Sequence, residues 1–539
     1  MDKKRKRIGN RALQSGLQQV AVGALTGVFA GIVVTLYNIL ASRAEVFSRG
    51  VYAYVRSHPA FIPLLFLALV LGAVIIGGVL KWIPMIRGSG IPQTEGATRG
   101  LIHFRWYRVL TGMFATSLLT ISLGLSAGAE GPSIQVGGAC GCGTNDLLRK
   151  NETTRRFQIT GGACTGLAVA FNAPLTGMAF AFEEAHKRFT PEVFVCSFSS
   201  VIMGVLTRNL LRPLLGLPVT AALTTYTLIN PDLSSYLYIF LAATVCGLLG
   251  VAFYYLTMAA RRGFEKITFF HGMGKMVIPF AAGGVFGLIT AYAMGGGHEL
   301  LSALGGGMED VERIFDSPLW VTLLAVLVLK LVASVLNIGA GVPCGAFIPM
   351  LAVGACAGGL MSIVCVKMGM DPACADILIM ICMAAFFTSV VKAPITAIVM
   401  VMELTWNFTF LLPVILGVAV GYLTSDIFRT QPLYEKLLEE ILEEQRKKNP
   451  PRRISFRLRV GKDSPADGRA VRDILWPSDA LVVSVLRDGR QLVPDGDTVL
   501  RRGDEIVVRG ETSKEDSYTE TLALTVGELL GKELLTEPE

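Results

Sequence analysis

The sequence predicts an all-α polytopic membrane protein with broken helices, followed by a small α/β domain. Of its 539 residues, 52% are hydrophobic and 17% are charged, and the mean hydropathy is +0.54. Soluble domains carry roughly a quarter charged residues. Long apolar runs recur up to about residue 440, beyond which strand-like alternation begins. Three glycine–proline breaks interrupt the apolar runs, and irregular backbone at membrane depth must line a cavity or be buried in protein.

Each break has the form Gly-x-x-x-Pro. The three breaks are residues 88–92 (Gly-Ser-Gly-Ile-Pro), 128–132 (Gly-Ala-Glu-Gly-Pro) and 345–349 (Gly-Ala-Phe-Ile-Pro). Such breaks are typical of discontinuous helices whose ends meet at a site near the bilayer midplane. The second and third breaks lie 217 residues apart, which fits two halves in inverted topology. No strong residue-level identity between the halves supports this repeat.

Glu130 lies in the second break, between apolar stretches. An ionisable residue inside the membrane marks a functional site by default, because burying its charge is costly. Pro132 suits a first helical turn, so Glu130 is predicted near a helix N-terminus, which attracts anions. An interfacial loop with a solvated Glu130 is the alternative interpretation.

The apolar runs predict the membrane helices in order. They are 18–47, 61–82, 105–125, 153–169, 174–184, 190–211, 236–261, 278–294, 319–336 and the spans within 376–428. Residues 1–17 are predicted as a basic segment, and a polar link is expected around Arg56. Lys330 lies inside an apolar run and needs a partner, which the sequence does not identify. His298 follows three glycines and is interpreted as a capping or surface residue.

Charge and cysteine content set further limits. Basic residues cluster at 2–7 and near 440–460, so the positive-inside rule predicts both termini in the cytoplasm of a cell-membrane protein. No cleavable signal peptide is evident, and a nucleic-acid partner is not expected. The ten cysteines lie mostly in apolar stretches, and Cys140 and Cys142 lack a second pair at metal-site spacing. We therefore expect no metal site, no disulfide framework and no catalytic residue.

The three breaks, in this order, resemble the motif set of the CLC family of chloride channels and proton-coupled chloride transporters. Residues 162–184, 392–396 (Lys-Ala-Pro-Ile-Thr) and 432–434 (Pro-Leu-Tyr) resemble the family too, so the likeness covers about residues 20–440. One departure is Ala129, which replaces the usual basic residue of the second motif and weakens the local positive field. The resemblance implies the CLC fold and a homodimer in the lipid bilayer, with a separate pathway in each subunit.

The resemblance also implies roles for individual residues. Glu130 would be the gate that competes with chloride and is opened by protonation, and Glu184 would accept protons from the cytoplasm. Glu183 matches a structural acid. The anion would be bound by Ser89, Gly90, Ile91, Gly131, Phe347, Ile348 and Tyr434. Ser89 either donates to the anion or caps the next helix, and both roles use one geometry.

The predicted function is therefore chloride/proton antiport, with chloride and protons as partners. A passive chloride channel gated by Glu130 is the alternative. A potassium transporter would need a carbonyl-lined filter with Thr-Val-Gly loops, and no such loop is present in the apolar part of the sequence. An intramembrane enzyme is not expected, because neither His-Glu-x-x-His nor a Gly-Lys-Ser/Thr loop occurs.

Alternation at 456–460 and strand patterns at 481–486, 491–493 and 505–508 predict a small α/β module, with a short helix at 470–476. Its segments resemble the TrkA-C (RCK-C) ligand-binding module, which dimerises and in some relatives binds cyclic di-AMP between protomers. No other cofactor is expected; a dimerisation or stability domain without a ligand is the alternative. The predicted boundaries are 1–17 for the N-terminal segment, 18–440 for the transmembrane domain, 441–451 for a linker and 452–539 for the module.

Overall fold

The computed structural model describes most of the chain. The described residues are 2–150, 152–185, 190–218, 226, 228–229, 231–267, 274–306, 308, 310–448, 450–462, 464–474, 476–477, 480–512 and 515–534, without the side chains of 2–15, 153, 516 and 517. The basic residues 186–188, which follow Glu184 in the sequence, lie outside this set.

The chain forms two compact units. The first contains Met1–Thr98, Phe104–Lys150 and Arg155–Lys436, and the second contains Arg99–His103, Asn151–Thr154 and Leu437–Glu539. Helices of the first half are α1 (Asp2–Ser57), α2 (Ile62–Trp82), α3 (Ile91–Thr98), α4 (Trp106–Ser122), α5 (Glu130–Leu147), α6 (Glu152–Phe171), α7 (Pro174–Phe180) and α8 (Pro191–Leu214).

Helices of the second half are α9 (Ser235–Glu265), α10 (Val277–Ile289), α11 (His298–Gly305), α12 (Leu319–Ala340), α13 (Phe347–Lys367), α14 (Ala375–Val391), α15 (Pro394–Thr405), α16 (Leu411–Ile427) and α17 (Leu433–Lys448). Within the described residues, seven helical stretches are long and apolar enough to cross a membrane. The predicted polytopic helical architecture is confirmed.

The first helix is longer than predicted. A division near residue 17 and a polar link around Arg56 were expected, but α1 runs without interruption to Ser57. It ends where Pro59 follows, because the residue before a proline is pushed out of the helical region. His58 accordingly has φ −130° and ψ 77°. Polar composition alone does not end a helix, whereas a proline does.

The two halves repeat at residue level after all. Ala173-Pro-Leu-Thr176 opens α7, and Ala393-Pro-Ile-Thr396 opens α15, 220 positions later. Glu183 and Glu403 are separated by the same 220 positions. Glu183 follows α7 and binds the first amides of α15. Glu403 lies in the last turn of α15 and binds the first amides of α7.

The reciprocal capping has close geometry. Glu403 accepts hydrogen bonds from Leu175 N at 2.8 Å and from Thr176 N at 2.7 Å. Glu183 accepts hydrogen bonds from Ile395 N at 2.9 Å and Thr396 N at 2.7 Å. A carboxylate at a helix N-terminus satisfies amides that lack intrahelical partners. These bonds fix the antiparallel pair α7–α15, as inverted topology requires.

The C-terminal unit contains a five-stranded sheet of order β3-β2-β4-β1-β5. Its elements are β1 (Arg452–Val460), β2 (Leu481–Arg487), β3 (Arg490–Leu492), β4 (Glu505–Thr512), α18 (Glu515–Val526) and β5 (Gly527–Leu534). All strand pairs are antiparallel. Phe456, Val485 and Ile506 are fully buried on one face of the sheet, and Leu522 from α18 joins them in the same core cluster.

Several predicted boundaries in this unit were wrong. The helix expected at 470–476 is a single 3₁₀ turn, Val471–Asp473. Strands β1 and β4 are longer than expected, because their outer residues pair in the register Arg452 with Thr512. Neither α18 nor β5 was predicted.

Candidate anion and proton pathway

The three predicted breaks meet in space and are joined by backbone hydrogen bonds. Gly128 N donates to Gly345 O at 2.7 Å, and Gly345 N donates back to Gly128 O at 2.9 Å. Gly88 N donates to Gly341 O at 3.1 Å, and Cys344 N donates to Gly88 O at 3.3 Å. Loops from both halves of the chain therefore form one junction.

Gly131 lies at the centre of this junction. A Cβ atom at this position would stand 2.9 Å from Ser89 O and 3.0 Å from the Gly345 Cα. All three broken segments thus approach within contact distance of one residue. Gly90 has φ +79°, a left-handed conformation that glycine adopts without strain.

Three helices begin at the junction: α3 at Ile91, α5 at Glu130 and α13 at Phe347. Neither α5 nor α13 has a side-chain cap. For α3, Ile91 N lies 3.4 Å from the Ser89 Oγ, a long hydrogen bond. Helix N-termini that converge without caps supply unpaired N–H groups and partial positive charge to an anion.

The carboxylate of Glu130 is buried at this junction. The residue is 3% exposed, and its Oε2 has no hydrogen-bond partner among the described residues. The side chain folds back over Gly128, so a Cβ on Gly128 would collide with Oε2. The interpretation of Glu130 as a solvated loop residue is therefore wrong for this structure.

Phe347 and Tyr434 are both 1% exposed. The Phe347 ring packs against Phe387 and Phe171, with centroids 4.5 Å and 5.5 Å away. The Tyr434 hydroxyl is buried and has no hydrogen-bond partner among the described residues. A phenol in such a place retains an unused donor, which costs stability unless a ligand accepts it.

Glu184 lies in a π-helical turn, Ala181–Ala185, and is 2% exposed. The next residue, Ala185, accepts a 2.5 Å hydrogen bond from Thr98 Oγ1 at the far end of α3. Helix α3 has eight residues, so it spans about 12 Å at 1.5 Å per residue. The structure therefore places Glu184 roughly one short helix away from the junction.

Glu184 and Glu130 are both close enough to Tyr434 to act on it electrostatically. The structure thus brings together the residues named from sequence: Ser89, Gly90, Ile91, Glu130, Gly131, Phe347, Ile348 and Tyr434, with Glu184 at the end of α3.

Two residues near the junction were not assigned to it from sequence. The fully buried Lys330 donates from Nζ to Gly295 O at 3.2 Å and Met294 O at 3.4 Å. His298 was expected to cap a helix or lie on the surface; its side chain is 48% exposed, but Gly297 rather than His298 occupies the N-cap of α11. The His298 Nε2 lies 3.7 Å from Glu130 Oε1. For His298, the only indication in the sequence was the run of three glycines, 295–297, before an ionisable residue.

Comparison with known proteins identifies the families that this architecture resembles. A profile for the voltage-gated chloride channel family matches residues 71–426, which is more than half of the chain. The chain belongs to the CLC family. A second profile, for the TrkA-C domain, matches residues 456–523 of this CLC protein. Both predicted resemblances are confirmed.

Among curated relatives, the H(+)/Cl(-) exchange transporter ClcA of Vibrio cholerae serotype O1 (classical Ogawa 395) is 32% identical over 437 residues. That match covers 78% of this chain and 89% of ClcA. ClcA of Vibrio vulnificus YJ016 is 30% identical over 448 residues, covering 80% of this chain and 92% of that protein. These relatives are transporters, so the prediction that the chain is not an enzyme is confirmed.

Solved structures show the same fold. A slow cyanobacterial Cl⁻/H⁺ antiporter has a TM-score of 0.71 at 24% identity, over 79% of this chain and 98% of that one. A eukaryotic CLC transporter has a TM-score of 0.59 at 20% identity, over 86% of this chain and 79% of that one. The predicted fold class, an all-α CLC membrane domain with a small α/β domain, is confirmed.

Proposed function

We propose that this CLC protein exchanges chloride for protons across the cell membrane. The observation that supports this most is the buried Glu130 carboxylate at the N-termini of α3, α5 and α13, where its Oε2 has no hydrogen-bond partner among the described residues. Amide dipoles and hydroxyls attract an anion without the tight binding of a full positive charge, which permits turnover. The ionised carboxylate is itself an anion and competes with chloride for the same amides.

Protonation couples the two fluxes in this proposal. A neutral Glu130 loses its attraction to the N-termini and swings away, so an anion takes its place. Ser89, Gly90, Ile91, Gly131, Phe347, Ile348 and Tyr434 provide the anion path. Glu184 acts as the internal proton acceptor on a separate branch beyond α3.

Paired flux from purified full-length protein in vesicles tests the proposal. A chloride gradient is expected to drive uphill proton movement, and Glu130→Gln is expected to keep chloride flux but abolish coupling. Glu184→Gln should reduce proton flux alone. Chloride movement without any proton movement in the unaltered protein would leave a passive channel gated by Glu130 as the function. Proton coupling that persists in Glu130→Gln would refute the assigned gate.

We further propose a homodimer with both termini in the cytoplasm and one pathway in each subunit. Support for this orientation comes from the basic clusters at 2–7 and 440–460. Counting photobleaching steps in single vesicles measures subunit number, and protease access to the TrkA-C domain in oriented vesicles measures topology.

For the TrkA-C domain we propose binding of cyclic di-AMP between two protomers. The profile match at residues 456–523 supports it, as do arginines on exposed positions of β1, such as Arg457. Titrating cyclic di-AMP into full-length protein by calorimetry tests it, with cyclic di-GMP as the control. Absence of binding would leave a dimerisation or stability role.

A further inference from the structure

Glu130 meets a histidine from the second half of the chain. Its Oε1 lies 3.7 Å from His298 Nε2, while its Oε2 is buried without a hydrogen-bond partner among the described residues. This separation is an ion-pair distance and exceeds a hydrogen bond. A small side-chain movement or one water molecule closes the gap.

Backbone bonds hold the two residues opposite each other. Ala127 N donates to Gly295 O at 3.1 Å, and Gly295 N donates to Leu125 O at 2.9 Å. These bonds join the loop that leads into Glu130 to the loop that leads into His298. The contact is thus set by main-chain geometry rather than by two freely rotating surface side chains.

The two side chains differ in their access to solvent. The Glu130 side chain is 5% exposed, whereas the His298 side chain is 48% exposed. The imidazole therefore faces solvent as well as the buried carboxylate. Partial burial lowers the pKa of His298, but the attraction of the Glu130 carboxylate outweighs burial and raises it. Histidine is the side chain best suited to gain and lose a proton near neutral pH.

The other charged groups around the ring are already engaged. Arg49 pairs with Glu45 at 2.8 Å and with Glu299 at 2.6 Å. Lys330 lies beneath Gly297, and its ammonium donates to backbone carbonyls. The charges that act on the imidazole are the Glu130 carboxylate from α5 and Glu45 and Arg49 from α1. Glu299 is the next residue on α11, and Lys330 belongs to α12.

We propose that His298 is the proton relay for Glu130 on its solvent-facing side. The inference rests on the proposed role of Glu130 as the gate. The protonated imidazolium holds the ionised carboxylate in its buried position. Its Nε2 proton then passes to Glu130 Oε1, which leaves a neutral imidazole and a carboxylic acid, and the ion pair disappears. Solvent returns a proton to the imidazole, so the cycle balances.

The test measures chloride-driven proton flux by full-length protein in vesicles, from about pH 5 to about pH 8, which brackets an ordinary histidine pKa of about 6.5. We expect His298→Ala to lower coupled flux about tenfold or more, in the range of a lost general acid–base group. We also expect it to remove the titration near neutral pH. Added imidazole should restore flux to His298→Ala, which a purely structural role would not allow.

Two variants make the result specific. His58→Ala removes another histidine of the same membrane unit, one stacked on Tyr54 at 4.3 Å, and should leave flux and pH profile unchanged. His298→Gln keeps a polar side chain at the start of α11 without a titrating group, and should behave like His298→Ala.

Failure of the relay and failure of the gate give different results. Full coupled flux with an unchanged pH profile in His298→Ala, alongside an uncoupled Glu130→Gln, would overturn the relay and leave the gate. Coupling that survives in Glu130→Gln would overturn both. In the Glu130→Gln background, His298→Ala should cause no further change, since there is no carboxylate to protonate.

Discussion

At the scale of single residues, Gly131 occupies a position that has no room for a side chain. It contacts all three broken segments, and the first atoms that a Cβ would meet belong to the backbone of Ser89 and Gly345. Backbone cannot rotate away as a flexible side chain does, so substitution must push the loops apart.

We therefore predict that Gly131→Ala lowers chloride flux about tenfold, since sub-ångström displacement of a binding site has effects of this order. Gly78→Ala is the matched control, because a Cβ there meets nothing within 4 Å. Vesicle chloride efflux measures both variants. Equal flux from the two proteins would show that close approach at position 131 is not needed.

Tyr434 offers a second prediction at this scale. Because its hydroxyl has no partner among the described residues, Tyr434→Phe should not destabilise the fold. It should weaken chloride binding about fivefold, the value of roughly 1 kcal/mol for one hydrogen bond. Calorimetry on detergent-purified protein measures the affinity.

Tyr52→Phe serves as its control. Tyr52 is also 1% exposed, but its hydroxyl donates to Leu123 O at 3.0 Å. Loss of that bond should cost about 1 kcal/mol of stability without changing chloride affinity. An unaltered affinity in Tyr434→Phe would remove Tyr434 from the anion path.

At the scale of elements, the reciprocal caps of α7 and α15 allow a symmetric prediction. Glu403→Ala and Glu183→Ala should each destabilise the membrane domain by about 1–2 kcal/mol, the usual cost of removing an N-terminal cap. Thermal unfolding in detergent measures the loss, with the exposed Glu265→Ala as control. Losses no larger than that of the control would mean that water replaces both carboxylates.

The elements also show what a single sequence reveals. The membrane helices were predictable because continuous apolar runs and prolines are local signals. The inverted repeat was predicted from the spacing of the breaks, but its residue-level identity was missed because the Ala-Pro-x-Thr openings and the two acids are short and scattered signals. Strand β5 was missed because Leu529, Leu530 and the flanking glutamates favour a helix in isolation. Pairing with β1 overrides that preference.

The residues of the site likewise fall into those that the sequence predicts and those that it does not. Ser89, Glu130 and Phe347 were predictable because each belongs to a local break that resembles a family motif. The contact between Glu130 and His298 joins residues 168 positions apart. Such a pairing leaves no periodicity or spacing in one sequence. The carbonyl partners of Lys330 carry no side-chain signal either.

At the scale of the whole molecule, the TrkA-C domain should respond to acid through Asp504. Burial raises the pKa of this carboxyl, but hydrogen bonds from Arg487 and from Arg501 N outweigh burial and lower it. A carboxyl whose pKa is lower when folded stabilises the fold above its unfolded pKa of about 3.9 and loses that contribution as the pH falls further.

Hydrogen exchange of residues 452–534 in the full-length protein is expected to show opening as the pH drops below about 4, near the unfolded aspartate pKa. Asp504→Asn should be less stable at neutral pH, since Arg487 loses its charged partner, and should lack that acid-dependent step. A step of the same size in Asp504→Asn would assign the acid sensitivity to other carboxyls.

The paired bonds between Gly128 and Gly345 limit how this protein can work. Many carriers alternate by rocking one half of the chain against the other. Here such rocking would break two main-chain hydrogen bonds between the halves in every cycle. A scaffold joined in this way suits the proposed mechanism, in which the Glu130 side chain moves and the two halves stay fixed. Turnover should then depend on the rate at which Glu130 gains and loses its proton rather than on domain motion.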